Sequence, residues 1–589
     1  YAHLIARRVR QLNVLAKIYP PDTNFAKVKN IGGFILSGGP RSIVADKRIV
    51  PFDPGIFTMG KPVLGFCYGH YVISAYLGGT LISGGAGEYG EADLFIHDTK
   101  GIFKGLSKKE RVWMSHGDQV AKMPEGFEDL GSTLDCPVAA MRNKEKKMYG
   151  FQFHPEVHHT SHGMQMLKNY VLDICKIKPD WKIADMEEDI LGQIKKQAAN
   201  KKVFMLVSGG VDSTVAFTLL EKAIGKENVY GLHIDNGFMR LNESKAVYKV
   251  LKEIGFDDLN IINCTKRFLE ATKGEINPEK KRQQIGEMFI AIANEKMKQL
   301  AIDPDSAGWL LGQGTIYPDT IESGVTEHAD KIKTHHNRID MIQDMIEEGK
   351  VIEPLADFYK DEVRELGKKL KIDKKLLDRH PFPGPGLAIR ALCSDGTENI
   401  ADEEGLDKRL REYLPVKIHS KILPLKSVGV QGDERTYRHP VILMGEDKWS
   451  NLNKYSVNLT NQFKKDINRV IWLLNKTKLS KDAKIKEATL TKKRLDLLRE
   501  VDDIVMSFFR EKKIYNKIWQ SPVVLLPFGD DGESIVLRPI ESEEAMTVNF
   551  YQMKIELLHK LVSKIDRVKG IDYIFYDITN KPPGTIEWE

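Results

Sequence analysis

Cys67 lies in Gly65-Phe66-Cys67-Tyr68-Gly69, after the apolar run Pro62-Val63-Leu64 and before a helical pattern. Flanking glycines permit the sharp strand-to-helix turn that lifts a nucleophile clear of the backbone. The N-terminus of the following helix would favour a thiolate and offer N–H groups to an oxyanion. Alone, such a cysteine reads as a buried core residue, the usual fate of the type. A base shifts that reading, and Phe151-Gln152-Phe153-His154-Pro155-Glu156 supplies one. Residues two apart in an extended chain share a face, so His154 and Glu156 would project together, imidazole beside orienting carboxylate.

A second cluster is Ser208-Gly209-Gly210-Val211-Asp212-Ser213, which follows the apolar run Val203 to Val207 and opens a helix. Its glycines would let backbone N–H groups approach a phosphate, the helix dipole favours the anion, and Ser208 and Ser213 add hydroxyls. The Gly-Lys-Ser/Thr ending of a Walker loop is missing, which argues against γ-phosphate transfer. Asp212 fits either a Mg²⁺ ligand or a helix-start residue. His233-Ile234-Asp235-Asn236-Gly237 closes the next strand, where an adenine would lie, and Gly312-Gln313-Gly314-Thr315 is another strand-end turn. Lys331-Ile332-Lys333-Thr334-His335-His336-Asn337 lacks the i, i+4 histidines of a zincin and reads as a phosphate-handling loop rather than a metal site.

Elements must position these groups. Residues 1–177 alternate apolar runs with Gly-rich turns, 178–390 alternate strands and helices behind a polar helix over Trp181 to Lys202, and 391–589 turn to α+β. The expected fold is α/β: two doubly wound parallel-sheet domains followed by an α+β domain. The 391–414 stretch is polar and reads as a loop or insertion, and 482–512 as a Lys-rich helix. Length favours two to four domains. The balance of Lys+Arg 88 against Asp+Glu 82 is a net +6, which suits small anionic substrates and makes nucleic acid unlikely as a partner. Lysines over 478–494 read as a solvated helix face. Five cysteines without a C-x-x-C pair argue against structural zinc and for a reducing, cytoplasmic setting. No apolar run is long enough for a membrane span, and no signal peptide is visible. The chain opens at Tyr1 without Met, so leading residues are expected to be missing.

The first region resembles class I glutamine amidotransferases. The resemblance makes Cys67, His154 and Glu156 a glutaminase triad and Ser37-Gly38-Gly39-Pro40 an oxyanion loop, with Gly39 and Tyr68 as N–H donors. It sets Trp113 to Gln119 against the glutamine pocket, with Gln119 as a binding residue. His116 is left between a direct role and a plain loop histidine. It also implies one more strand ahead of Tyr1. The second region resembles the pyrophosphatase loop of enzymes that split ATP into AMP and pyrophosphate, which makes Ser208, Gly209, Gly210, Val211, Asp212, Ser213, Ile234, Gln313 and Gly314 the ATP-binding set, with Mg²⁺ as cofactor.

Three segments are similar to the GMP synthase family: His380-Pro381-Phe382-Pro383-Gly384-Pro385-Gly386-Leu387, Val428 to Tyr437, and Lys581-Pro582-Pro583-Gly584-Thr585-Ile586-Glu587-Trp588-Glu589. The resemblance implies that Pro383, Gly384, Pro385, Arg435, Gln520, Lys581, Ile586 and Glu587 bind xanthosine monophosphate (XMP). It places Asp319, Glu322, Lys333, His335 and His336 in a lid, Lys333 stabilising negative charge, and makes 391–589 a homodimerisation region. After Asn337 the chain continues Arg338-Ile339-Asp340, like the longer eukaryotic branch. Other glutamine-dependent ATP enzymes, such as NAD or asparagine synthetases, lack the Lys-Pro-Pro-Gly tail. An intact triad and phosphate loop argue against a non-enzymatic scaffold.

Overall fold

The computed structural model describes the chain except residues 1, 40, 158, 254–258, 302–307, 317–344, 346–347, 398–399, 401, 432–433, 446–447 and 543–547. It forms two compact units, Tyr1–Glu187 and Glu188–Glu589.

The first unit is built on a seven-stranded sheet. Its parallel part joins Phe34–Leu36, Val63–Phe66 and Met148–Phe151, with Gly65 opposite both Leu36 and Gly150. Val63–Phe66 and Met148–Phe151 are buried throughout, as strands covered on both faces must be. From Met148–Phe151 the sheet continues antiparallel through Ala140–Asn143, Glu128–Ser132, Thr80–Ile96 and Lys109–Lys122. Lys109–Lys122 alternates buried and more exposed residues, a strand with one face on the core. His116 therefore sits buried in a strand, not in a loop.

The second unit opens with a five-stranded parallel sheet, in the order Asn260–Asn263, Val229–Asp235, Lys202–Leu206, Trp309–Gly312, Val351–Ile352. The chain winds outward from Lys202–Leu206 in one direction and then restarts on its other side. That reversal is the place where open α/β sheets bind ligands, beyond the strands' carboxyl ends. A second seven-stranded sheet follows, from His419–Ile422 through Ile467–Leu473 and Ile571–Asp577 to Val523–Leu526. One continuous apolar core runs from Phe204 and Leu232 through Leu387 and Ala391 to Leu443, Leu537 and Tyr576, so both sheets share it.

Several expectations are corrected. The 391–414 stretch is a loop only in part: Ser394–Asp395 is a short strand and Glu403–Tyr413 a helix, capped by Asp402, whose carboxylate accepts from the Gly405 N–H at 3.1 Å. Leu406 and Leu410, one turn apart, are its buried residues, too few for an apolar stripe legible in the composition. The Lys-rich helix starts only at Lys492, capped by Thr491. Before it, Lys484–Ile485 pairs with Phe528–Gly529 and Glu487–Ala488 with Ser394–Asp395, so the lysines of 478–494 do not share a helix face. The helix next to Trp181 spans Glu187–Ala198. Among the described residues no helix is long and apolar enough to cross a membrane.

Asp577 anchors the second unit. It is fully buried and accepts from Arg469 Nη1 at 2.9 Å, Arg538 Nη1 at 2.8 Å and Trp588 Nε1 at 2.9 Å. Asp577→Asn keeps the size but leaves two buried guanidiniums on a neutral amide. We expect a loss of ~3–5 kcal/mol, the usual cost of breaking a buried ion pair from one side. In calorimetry the unfolding of this unit should move to lower temperature, and an unchanged midpoint would contradict the assignment.

Two candidate active sites

The turn at Cys67 is built by close packing. Cys67 has φ 47° and ψ −104°, a left-handed conformation that side chains rarely adopt. A side chain at Gly65 would collide with Gly69 and with the His70 nitrogen, and one at Gly69 would run into Leu36. The Cys67 N–H donates to the Phe151 carbonyl at 2.8 Å, and its carbonyl accepts from the Tyr71 N–H at 3.1 Å. Cys67 thus ends the strand Val63–Phe66 and caps the helix Tyr68–Tyr76.

His154 Nδ1 lies 2.8 Å from Glu156 Oε1, with both side chains almost completely buried. The backbone is fixed by the His154 N–H to the Trp113 carbonyl at 3.0 Å and by the Thr160 hydroxyl to the His154 carbonyl at 2.6 Å. With Nδ1 committed to Glu156, the other ring nitrogen serves Cys67. Burial opposes a charged imidazole, but hydrogen bonds to Cys67 and Glu156 and their charges outweigh it. His154 is pushed up to about 9.

Gly38 belongs to this site more closely than sequence reasoning placed it. A Cβ there would stand 2.9 Å from His154 Cε1 and 3.4 Å from Cys67 Cβ, so the loop must carry glycine to pass both groups. Gly39 lies beside Tyr68, 3.8 Å from its Cβ by the same measure. Asp118 ties the segment after this loop to the sheet, accepting from Ser42 Oγ at 2.7 Å and the Val44 N–H at 3.3 Å. Tyr71 donates to the Asp118 carbonyl at 2.5 Å and accepts from Gln152 Nε2 at 2.8 Å. His116 is held between the Asp118 carbonyl, at 2.9 Å, and Glu88, at 3.4 Å. Gln119 is half-buried on the same strand as Ser115, whose carbonyl is 3.6 Å from Cys67 Sγ.

The second site lies at the sheet reversal. Ser208 to Ser213 joins Lys202–Leu206 to the helix Val211–Ile224. Gly209 takes φ 80° and packs on Val247. The Ser208 and Ser213 hydroxyls are 2.9 Å apart, and Ser208 Oγ accepts from the Gly210 N–H at 3.2 Å. Gly314 comes from the neighbouring strand end so closely that a Cβ would lie 2.9 Å from the Ser213 nitrogen. Gln313 is half-buried there, and Ile234 is buried in the core near the end of its own strand.

Two cations at this loop were not singled out from the sequence. Lys360, at the start of the helix Lys360–Lys369, pairs with Asp212 at 2.5 Å. Arg379 donates to the Gly209 carbonyl at 3.2 Å and pairs with Glu243 at 3.4 Å. Among the described residues, Asp212 Oδ1 is buried without a hydrogen-bond partner. One free carboxylate oxygen beside an anion-binding loop suits Mg²⁺, which takes one or two protein carboxylates and leaves its remaining positions to phosphate and water. The lid residues Asp319, Glu322, Lys333, His335 and His336 lie outside the described residues, as does the side chain of Arg435.

The segments expected to hold the acceptor converge in this unit. Gly384 is exposed at the tip of the loop between Pro383 and Pro385. Gly386, at φ 67°, packs directly on Phe238. Arg390 is completely buried and grips Glu587 through two bonds, at 3.0 and 2.7 Å, while Gln520 reaches Glu587 at 3.1 Å. Arg240 and Arg390 lie over the Phe382 ring at 4.8 and 5.1 Å. Ile586 is half-buried and offers its carbonyl to Arg538 Nε at 3.1 Å. Lys581 is half-buried, its backbone paired with Val548. Arg240 and Arg390 had no local sequence signal.

Comparison with known proteins bears on all three segments. The description "Glutamine amidotransferase class-I" matches residues 1–174, "NAD synthase" matches 182–322, and "GMP synthase C terminal domain" matches 507–588. The chain is 44% identical to a protein of Leptospira interrogans named probable GMP synthase (glutamine-hydrolyzing), over 100% of this chain and 98% of that one. This bacterial relative thus shares the chain's length. It is 35% identical to the GMP synthase (glutamine-hydrolyzing) of Dictyostelium discoideum, over 100% and 93%, and 35% identical to that of Aquifex aeolicus, over 100% and 97%. Full-length similarity of this kind, over a chain that carries a glutaminase-type triad and a pyrophosphatase-type loop, means that the chain belongs to the glutamine-hydrolysing GMP synthase family.

Proposed function

We propose that the chain takes ammonia from glutamine at Cys67 and uses it to convert XMP to GMP, with ATP split into AMP and pyrophosphate. The observation that carries this reading is the joint presence, in one chain of this family, of the Cys67-His154-Glu156 set and the Ser208 to Ser213 loop. Cys67 Sγ attacks the amide carbon of glutamine. The oxygen that gains charge is held by N–H groups of Gly39 and Tyr68, and His154 passes its proton to the departing ammonia. Water then cleaves the thioester to glutamate, with His154 as base and Glu156 holding the ring.

At the second site the N–H groups at the start of the helix Val211–Ile224, with Ser208, Ser213 and Lys360, hold the pyrophosphate portion of ATP. The purine O2 of XMP attacks the α-phosphorus and pyrophosphate leaves. Ammonia adds at C2 and AMP departs. Asp212 is the described residue suited to hold Mg²⁺, which would offset the charge of the phosphates. Pro383, Gly384, Pro385, Arg435, Gln520, Lys581, Ile586 and Glu587 form the XMP site, and Asp319, Glu322, Lys333, His335 and His336 the lid. Gln119 faces glutamine, while Val211, Ile234, Gln313 and Gly314 border the ATP. The work divides among 1–177, 178–390 and 391–589, and the last region forms a homodimer. The free state of all five cysteines supports a cytoplasmic setting.

Incubation with XMP, ATP, Mg²⁺ and glutamine should yield GMP, AMP, pyrophosphate and glutamate in equal amounts, and absence of GMP would refute the proposal. Cys67→Ala should lose glutamine-dependent synthesis by about 10³-fold or more, as removal of a triad nucleophile does. It should keep synthesis from ammonium salts, and loss of both activities would contradict two separate chemistries.

The raised His154 has a pH signature. A histidine whose folded value lies above its ordinary 6.5 stabilises the fold fully below 6.5, and that contribution disappears as pH rises through about 9. The stability gap between wild type and His154→Asn should therefore narrow between pH 6.5 and 9.5 in thermal melts. A gap that widens over this window would contradict the ion pair.

A further inference from the structure

Lys281 has no part in either chemistry, yet it is completely buried. It lies in the first turn of the helix Pro278–Gln299. Burying an ammonium is costly unless it is paired and hydrogen-bonded, so its partners matter. Lys281 Nζ donates to Glu589 Oε2 at 2.5 Å and to the Ala388 carbonyl at 3.2 Å, and lies 3.7 Å from Cys393 Sγ. Ala388 belongs to the short helical turn Gly386–Ile389 that follows the Pro383-Gly384-Pro385 loop. Glu589 closes the segment that carries Lys581, Ile586 and Glu587. One ammonium therefore joins the loop and the tail that the proposed function assigns to the acceptor nucleotide. Arg282, the next residue, donates to the Glu589 main-chain oxygen.

The tail is threaded tightly on either side of this pair. Trp588 is buried against Arg469, 5.1 Å from guanidinium to ring, and its carbonyl accepts from the Val428 N–H at 2.9 Å. Two residues before Glu589, Glu587 meets Arg390, which stands two residues after Ala388. The 383–390 loop and the tail are thus joined twice, directly by Arg390 with Glu587 and through Lys281, which holds the Ala388 carbonyl and Glu589. A shift of the tail at Glu589 would pass directly to Glu587.

We infer that Lys281 and Glu589 form a latch that positions the 581–589 segment and the 383–390 loop for the acceptor nucleotide. They are positioning residues: they act through Glu587 and the loop rather than by touching substrate. The inference rests on the assignment of those segments to XMP. It places a determinant of acceptor affinity on a helix of the ATP-binding half of the chain.

The test uses the full chain with ammonium as nitrogen donor, so that the glutaminase site is bypassed. GMP formation is followed while XMP and ATP are varied in turn, for wild type, Lys281→Gln and the isosteric Glu589→Gln. Wild-type GMP formation tests the acceptor assignment itself, separately from the latch. Given that activity, each variant should raise the KM for XMP about tenfold or more and change the KM for ATP less than threefold. Thiol-ester chemistry at Cys67, read as basal glutamate release, should be unchanged. An XMP KM within twofold of wild type in a folded variant would overturn the latch. So would equal rises for XMP and ATP, or failure of both variants to fold, either of which would make the pair a general structural element.

Discussion

A cysteine held at φ 47° and ψ −104° is the constraint on which the glutaminase half depends. Such a backbone costs on the order of 1–3 kcal/mol and persists only where the surroundings leave no alternative. Here Gly65 and Gly69 press backbone on backbone, and the Cys67 N–H is committed to Phe151. Because Phe151 leads within three residues to His154, the bond that fixes Cys67 also sets the height of His154. The parallel strands Phe34–Leu36, Val63–Phe66 and Met148–Phe151 then bring the Ser37 to Gly39 loop, Cys67 and His154 to one end of the sheet. The chemistry of the site is a consequence of which strands are neighbours.

The second unit solves a different problem. The Ser208 to Ser213 loop is again a glycine turn between strand and helix, but the segments proposed for the acceptor are organised by buried charge. Arg469 and Arg538 with Asp577, and Lys281 with Glu589, are deeply buried pairs, and the fully buried Arg390 pairs with the half-buried Glu587. Burial is the dominant influence on Arg469 and, with Arg538 beside it, lowers the guanidinium to about 9 despite Asp577. Each buried ion costs several kcal/mol to dehydrate, so such pairs add little net stability. What they supply is a single arrangement: a tail held at Asp577, Arg390 and Lys281 has one register only.

The grouping of Cys67, His154 and Glu156 was legible because it is local. Cys67 stands between two glycines, and His154 and Glu156 are two residues apart. The Ser208 to Ser213 loop was legible for the same reason. Lys360, Arg379, Arg390 and Lys281 were not, because each meets its partner across a long stretch of chain: Lys360 pairs with Asp212 and Lys281 with Glu589, 148 and 308 residues away. A single basic residue in a charged helix looks like a solvated one until the fold closes over it. The same limit explains Glu403–Tyr413, whose two buried leucines are too sparse a pattern, and the short strands before Lys492, whose partners lie far along the chain. Gly38 is plain within its glycine loop, but its contact with both Cys67 and His154 emerges only when three strands are aligned.

The central claim is that nitrogen released at Cys67 ends on the purine of the second site. Glutamine labelled with ¹⁵N in its side-chain amide, supplied with XMP, ATP and Mg²⁺, tests it most directly by mass spectrometry of the nucleotide product. The expected product is GMP that carries one ¹⁵N in its exocyclic amine, with one glutamate, one AMP and one pyrophosphate formed per GMP. Label that stays in free ammonium while XMP remains unconverted, or ATP cleaved to ADP, would contradict it.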